Sequence, residues 1–283
     1  MSSKTVPKES VVSFSEPGAR RLTNAWRLAD VSRDLLLSVL SLVAILVLWE
    51  GAVRVFHLPN YIVPAPIEIT RDTFDLGSVV VWHTLATLRT VLLGFLLSVV
   101  ISLPLAIAIT ASATAARTIY PALVLLQSVP KVAIAPILII ALGANELPRV
   151  VVTFLVAFFP LVVAAATGLQ SVPAEFIELW RSLRVSRWKL IWRISLPYAV
   201  PFVFGGLKVA IALSVVGAVV GEFVAANQGL GYLIATSMAF FKTPVAWGAM
   251  IILSVMGIAL FQAVVLVERV FFPWSTNTPL VAG

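Results

Sequence analysis

Hydrophobic and polar positions divide the chain sharply at Leu35. Before it, Lys4, Lys8, Arg20, Arg21, Arg27 and Arg33 mix with Glu9, Glu16, Asp30 and Asp34 and no long apolar run forms. After it, apolar runs of the length that crosses a bilayer as a helix, about 20 residues, follow one another. They fall at Leu35–Phe56, Leu88–Thr110, Ile119–Leu142, Arg149–Leu169, Pro201–Ala225 and Val245–Phe271. β-Barrel strands would be runs of about ten residues with alternating polarity. These runs are longer and uniformly apolar, and in lipid the backbone must satisfy its own hydrogen bonds, so helices are expected. The pattern therefore predicts an all-α polytopic membrane protein with six transmembrane helices. It comprises a tail at 1–34, a membrane body at 35–275 and a short C-terminal tail at 276–283. The third run is interrupted by Pro130 and Lys131, and the first tail is expected to turn helical and interfacial between Arg20 and Asp34.

Composition agrees with this and adds a direction. Apolar residues make up 60 % and charged residues 12 % of 283 residues, against about 45–50 % and about 25 % in soluble domains. Mean hydropathy is +1.03. The net charge is +7, which in a soluble chain would suggest nucleic acid. Its placement argues otherwise. With the N-terminus inside, thirteen Lys and Arg fall on the inner side and four (Arg54, Arg71, Arg149 and Lys242) on the outer. Cytoplasmic loops collect Lys and Arg, so both termini are expected in the cytoplasm and no nucleic-acid partner is expected. A secretory signal would pass directly from a short basic stretch into an apolar one, whereas here the first 34 residues read as a cytoplasmic tail. Cysteine is absent and the two histidines, His57 and His83, stand alone. Neither a thiol nucleophile nor a metal site is expected.

Two loops carry organisation of their own. In the first outer loop, Pro64-Ala-Pro66 precedes a stretch with Glu68 and Asp72 four apart, which predicts a short surface helix. The loop at 171–197 is basic and amphipathic: Phe176, Ile177, Leu179, Trp180 and Leu183 follow helical spacing after Pro173. Ser186 is placed to cap a second short helix bearing Lys189 and Arg193. Trp188 and Trp192 among basic residues fit a bilayer surface and fit a protein partner equally well.

This loop resembles the one known by the letters EAA in permease subunits of ABC importers. The spacing Glu178, five residues, Arg184, nine residues, Ile194-Ser-Leu-Pro197 follows that pattern. Further similarity lies in Val63-Pro-Ala-Pro66, Val129-Pro-Lys-Val-Ala-Ile-Ala-Pro136, Phe158-Phe-Pro160, Gly168-Leu-Gln-Ser-Val172, Gly206-Leu-Lys-Val209, Gly221-Glu-Phe223 and Gly229-Leu-Gly-Tyr-Leu233. Their order and spacing over roughly 35–275 resemble the nitrate/sulfonate/taurine branch of the type I importer fold. The resemblance implies two cytoplasmic coupling helices between the fourth and fifth spans, contributing Glu175, Glu178, Trp180, Arg181, Arg184, Arg187 and Trp188 to an ATPase groove. It implies a second permease copy (a homodimer), cytoplasmic ABC ATPase subunits, an extracytoplasmic solute-binding protein, and a multi-pass location in a bacterial-type inner membrane. Leu179 and Trp180 replace the two alanines of the pattern, and Arg184 replaces its glycine. No Gly-x-x-x-x-Gly-Lys-Ser/Thr run occurs, so no cofactor is expected in this chain. ATP and Mg would belong to the partner, and the chain itself is not expected to be an enzyme.

Charges inside the spans are costly and mark candidate function. Lys131, just after Pro130 and a turn from Gln127 and Ser128, marks a polar patch on a substrate pathway suited to an anion, or else a lysine paired with an acid. Glu222 is expected to gate the outer side, to pair with Lys131, or to hold the Gly229–Leu233 loop. Lys208 is expected to snorkel, Glu50 and Arg54 to form a pair four residues apart, and Arg89, Glu268 and Arg269 to anchor span ends. The favoured solute is a small anion of the nitrate, sulfonate or taurine kind. A pyrimidine or flavin precursor is the alternative, and an ATP-independent carrier is a more distant rival.

Overall fold

The computed structural model describes residues 36, 37, 39–183 and 186–275, with side chains except at a few helical positions, Arg181 and Arg187 among them. The expected helix at Arg20–Asp34, the C-terminal tail at 276–283 and Arg184 lie outside the described residues. All regular structure among the described residues is helical. Helix α1 covers 39–55 and forms a unit by itself with residues up to Leu58. Its Glu50 and Arg54 meet at 2.6 Å, one turn apart.

The second unit begins at Pro59. It contains α2 (Pro66–Asp75), α3 (Ser78–Ala111), α4 (Ala113–Gln127), α5 (Lys131–Leu142) and α6 (Glu146–Gln170). There follow α7 (Ala174–Ser182), α8 (Arg187–Leu190), α9 (Leu196–Ala225), α10 (Leu230–Ala239) and α11 (Thr243–Phe271). Among the described residues four helical stretches are long and apolar enough to cross a membrane: Ser78–Ala111, Glu146–Gln170, Trp188–Val224 and Thr243–Phe271.

Three expectations change here. The second span starts ten residues earlier than its apolar window, because α3 carries Ser78 to Thr87 as a polar-flecked extension. At 34 residues, α3 is about 51 Å long at 1.5 Å per residue, beyond the about 30 Å of hydrocarbon. The third run is two helices: α4 and α5 meet at 92°. Pro130 has no N–H to continue the ladder and disfavours helix at the residue before it, so the chain turns at 128–130. The second short helix at 187–195 is not separate. It passes through a π turn at Ile191–Ser195 straight into α9: Pro197 has no N–H to give the ladder and its ring crowds the turn before it, and the chain takes this up in the wider π turn and not in a break.

The core is a three-helix stack of α3, α6 and α9. Small residues set how closely the helices approach. A Cβ on Gly217 of α9 would lie 2.8 Å from the Thr153 Cα of α6, and one on Gly221 would lie 3.0 Å from the Arg149 Cα. Gly206 meets Ala164 and Gly168 meets Phe202 in the same antiparallel sense. The Gly217–Gly221 pair is thus used within the chain, where small residues let backbones close up. Gly94 of α3 packs on the other side of Thr153, its would-be Cβ 3.2 Å from the Phe154 amide nitrogen. Buried Val91, Ile211, Leu230 and Ala246 join α3, α9, α10 and α11 into the largest apolar cluster. The Gly143–Asn145 turn fixes α5 to α6: Gly143 has φ +82° and the Asn145 side chain accepts from the Leu147 N–H at 2.8 Å.

Candidate functional site

One end of the stack holds a buried polar knot. Near the C-terminal end of α9, Glu222 is 1 % exposed. Its Oε2 accepts from the Gly231 N–H at 2.7 Å, and both its oxygens lie within reach of the Thr87 hydroxyl, at 2.9 and 3.0 Å. Thr87 in turn accepts from the Leu230 N–H at 2.7 Å, and His83 Nδ1 accepts from the Gly229 N–H at 3.0 Å. The His83 nitrogen facing Gly229 is therefore the unprotonated one. Arg149, 5 % exposed, donates to the Gln228 carbonyl at 3.2 Å. The first N–H groups of a helix have no intrahelical acceptors. At α10 three consecutive ones are met by side chains of α3 and α9. Space explains the glycines. Gly229 adopts φ +116°, and a Cβ there would fall 2.5 Å from Glu222 Oε2; one on Gly231 would fall 2.9 Å from it. Glu222 thus holds the Gly229–Leu233 turn, and among the described residues it makes no ion pair with Lys131.

Lys131 stands at the α4–α5 bend. Its Nζ donates to the Gln127 carbonyl and lies 5.1 Å from the centre of the Phe159 ring, a cation–π arrangement. Gln127 and Ser128 are exposed beside it. Phe159 is ten residues from Arg149 on α6, about 15 Å along the axis, so the bend and the knot are separate places.

At the opposite end lies the 171–197 loop. Helix α7 shows two faces. Phe176, Leu179 and Leu183 are 45, 59 and 63 % exposed, a stripe at helical spacing. Ile177 and Trp180 turn inward and line a cavity of about 530 Å³ with Gln170, Leu190 and Ile191. Glu175 and Glu178 are exposed on α7, and Trp188 is 61 % exposed on α8. Arg184 lies outside the described residues, as do the side chains of Arg181 and Arg187.

Three more span charges, Lys208, Glu268 and Arg89, are paired. Lys208 and Glu268 form an ion pair at 2.5 Å between α9 and α11, with Ser275 donating to Glu268 at 3.0 Å. Glu268 is 4 % exposed, so it is a buried partner and not an anchor at a span end. Arg89 meets Glu146 at 3.2 Å, linking α3 to the start of α6. Thr87, His83 and Arg149 were not singled out as site residues from the sequence. A lone threonine or histidine in an apolar run has no spacing signal, and Arg149 reads there as an outer-loop charge.

The family described as binding-protein-dependent transport system inner membrane component matches residues 98–276. The formylaminopyrimidine transport permease protein ThiX of Halalkalibacterium halodurans is 35 % identical over 231 residues, covering 81 % of this chain and 92 % of that one. The riboflavin transport system permease protein RibX of Chloroflexus aurantiacus is 34 % identical, covering 84 % and 89 %. The taurine transport system permease protein TauC of Escherichia coli is 26 % identical, covering 90 % and 94 %. Among solved structures, a chain of the inward-facing MetNI methionine ABC transporter superposes with a TM-score of 0.61 at 17 % identity, covering 69 % of this chain and 97 % of that one. That likeness concerns the fold, the type I importer arrangement. Helices of membrane length around a glycine-packed core, an amphipathic helix exposed at one end, and a family match over most of the chain lead to one assignment: the chain belongs to the binding-protein-dependent transport system inner membrane components, the permease subunits of ABC importers.

Proposed function

We propose that this permease works as one of two copies around a single pathway, with six spans per copy and both termini in the cytoplasm. Two ATPase subunits would bind ATP and Mg and dock at α7. An extracytoplasmic binding protein would deliver the solute. The observation that carries the docking is the apolar stripe Phe176, Leu179, Leu183, exposed at the end of the core away from the Glu222 knot. Leaving such a stripe in water costs about 25 cal/mol per Å², and a partner groove removes that cost. ATP binding would close the ATPase pair, move α7, and reorient the spans. Glu175, Glu178 and Trp180 belong to this coupling surface by position, and Gln127, Ser128 and Lys131 to the pathway. Leu179→Asp with Leu183→Asp tests it: the variant is expected to insert normally and to lose co-purification of the ATPase encoded beside it. Full retention of the ATPase would overturn the docking assignment.

For the solute, a pyrimidine- or flavin-like heterocycle ranks first, supported by the 35 % and 34 % identity to the permeases named for formylaminopyrimidine and riboflavin. A small anion of the nitrate, sulfonate or taurine kind is the second reading, supported by the cation of Lys131 at the bend. That ammonium is already engaged by the Gln127 carbonyl and the Phe159 ring, which weakens the second reading. Reconstituting the complete transporter and measuring ATP-dependent uptake of labelled formylaminopyrimidine, riboflavin and taurine separates them. Uptake of taurine alone would reverse the ranking.

A further inference from the structure

The cavity behind α7 has a lining that docking of the exposed stripe does not use. Its volume, about 530 Å³, is on the scale of small-ligand pockets, about 300–1,000 Å³. Four pieces of the chain close it: the α3–α4 junction at 109–112, the end of α6 at Leu169 and Gln170, the inner face of α7 at Ile177 and Trp180, and the π turn at Ile191 and Ser195. The last two stand four apart in the π turn, each 8 % exposed, and π turns recur at functional sites. Ser195 lines the cavity, yet its hydroxyl makes no hydrogen bond among the described residues. Trp180 carries a second unmet group, an indole N–H buried without an acceptor. The Gln170 amide, at the more exposed part of the lining, is likewise unbonded among the described residues. Ser112 accepts from the Ala115 N–H at 3.3 Å and Thr110 donates to the Ala106 carbonyl at 2.9 Å. That leaves the first hydroxyl its proton and the second its lone pairs.

Charge is missing from this wall. No Asp, Glu, Lys, Arg or His stands among the described residues that line it. Arg117 lines a smaller cavity alongside, of about 240 Å³, but it is exposed and its charge keeps its water. An ion would enter the larger cavity without a counter-charge and at the cost of its hydration. Uncharged occupants differ in what they satisfy. Water meets the hydroxyls and gains nothing from Ile109, Leu169 and Ile177. A hydrocarbon chain covers those walls and leaves Ser195 and Trp180 unmet, which costs free energy for each buried polar group. A flat heterocycle does both. Its faces are apolar, its edge carries nitrogen and oxygen donors and acceptors, and an indole takes an aromatic ring face-offset or edge-on.

We propose that this cavity binds a small uncharged planar heterocycle, bonded to Ser195 of the π turn and seated against Trp180 of α7. Such a guest touches α7 and the Trp188–Val224 run together and ties one to the other. The site is not the α4–α5 bend: Ala116 in its wall is eleven residues from Gln127 along α4, about 16 Å. The chemistry of the wall selects the ligand, so the site does not depend on which solute is carried. The chain has no cysteine, and Ala116→Cys puts a single thiol in the wall. The purified full-length chain is labelled with a small methanethiosulfonate reagent, with formylaminopyrimidine as the probe ligand. Saturating probe is expected to slow labelling by at least about tenfold, with half-protection at about 1 mM or below. Hexanol and taurine are expected not to protect. Adding Ser195→Ala is expected to raise the half-protecting concentration by about tenfold, the scale of one hydrogen bond. Equilibrium dialysis of radiolabelled probe against wild type needs no variant and is expected to show binding in the same range. Absence of binding to wild type overturns the proposal. So does protection left unchanged by Ser195→Ala, and so does equal protection by hexanol, which would make the cavity a plain apolar void. Protection of Ser128→Cys with none of Ala116→Cys would place the heterocycle at the α4–α5 bend and overturn it likewise. No ATPase is present in these measurements, so their failure is distinct from a failure of docking at α7.

Discussion

Replacing Thr87 by Val removes one oxygen from the knot and keeps the shape of the side chain. In the native chain that hydroxyl donates to Glu222 and accepts from the Leu230 N–H at 2.7 Å. Loss of the bond to a buried carboxyl group costs about 1–3 kcal/mol, and leaving the Leu230 N–H without an acceptor costs about 1–3 kcal/mol more. Leu230 is 0 % exposed, so water does not replace the lost acceptor. The sum, about 2–6 kcal/mol, is expected in the local opening of α10 before it appears in global unfolding. The chain has no cysteine, which gives a clean readout. Ser237→Cys places a single thiol on α10 at a site 5 % exposed. With each 1.4 kcal/mol worth a factor of ten, Thr87→Val should speed labelling of that thiol by at least about 30-fold. Thr87→Ser, which keeps the oxygen and loses a methyl, should change it far less. Equal labelling in wild type and Thr87→Val, or faster labelling in the Ser variant than in the Val variant, would refute the clamp.

Other outcomes follow from the same geometry. Lys208→Met alone leaves Glu268 buried without its cation, at a cost of about 3–5 kcal/mol. Lys208→Met with Glu268→Met should recover most of that in thermal unfolding in detergent, and a double variant no better than the single would argue against the pair. Gly217→Val drives a side chain into the Thr153 backbone, 2.8 Å from the would-be Cβ. It should lower the unfolding temperature by far more than Gly205→Ala, whose Cβ meets nothing within 4 Å. Trp180→Ala should leave membrane insertion intact and change the yield of ATPase bound to the purified permease; unaltered yield together with unaltered transport would count against a coupling role. Lys131→Ala should reduce uptake if the bend lines the pathway, and transport at the wild-type rate would place the pathway elsewhere.

How much of this the sequence carried depends on length scales. Long apolar windows located α6 and α11 to within a few residues, because hydrocarbon sets a length and nothing competes with it over about 20 residues. Pro130 announced a break, though not that the chain would turn by 92° there. Helix α10 escaped notice because ten residues are too few for a span, and its start reads as a glycine loop. The merging of α8 into α9 was hidden for a different reason. Ser186 supplies a plausible cap, and only the π turn at Ile191–Ser195 shows that the helix runs on. The knot was legible only at Glu222 and the glycines. Thr87 and His83 gain their roles from a helix more than a hundred residues away, and neither periodicity nor spacing records such a meeting.

The run from Trp188 to Glu222 has a mechanical consequence. Its ends belong to different neighbourhoods, one beside the amphipathic α7 and one inside the buried knot. The 34 steps between them, read from the residue numbers, span about 51 Å at 1.5 Å per residue. Carried as a stiff rod, a tilt of about 5° about the Trp188 end sweeps the Glu222 end sideways by about 4 Å on that rise. Glu222 is bonded to α10 and, through Thr87, to α3, so the sweep drags both with it. To the extent that the run moves as one rod, a small push at its Trp188 end is expected to reach the knot as a displacement of a three-helix corner, with no relay of side chains needed between.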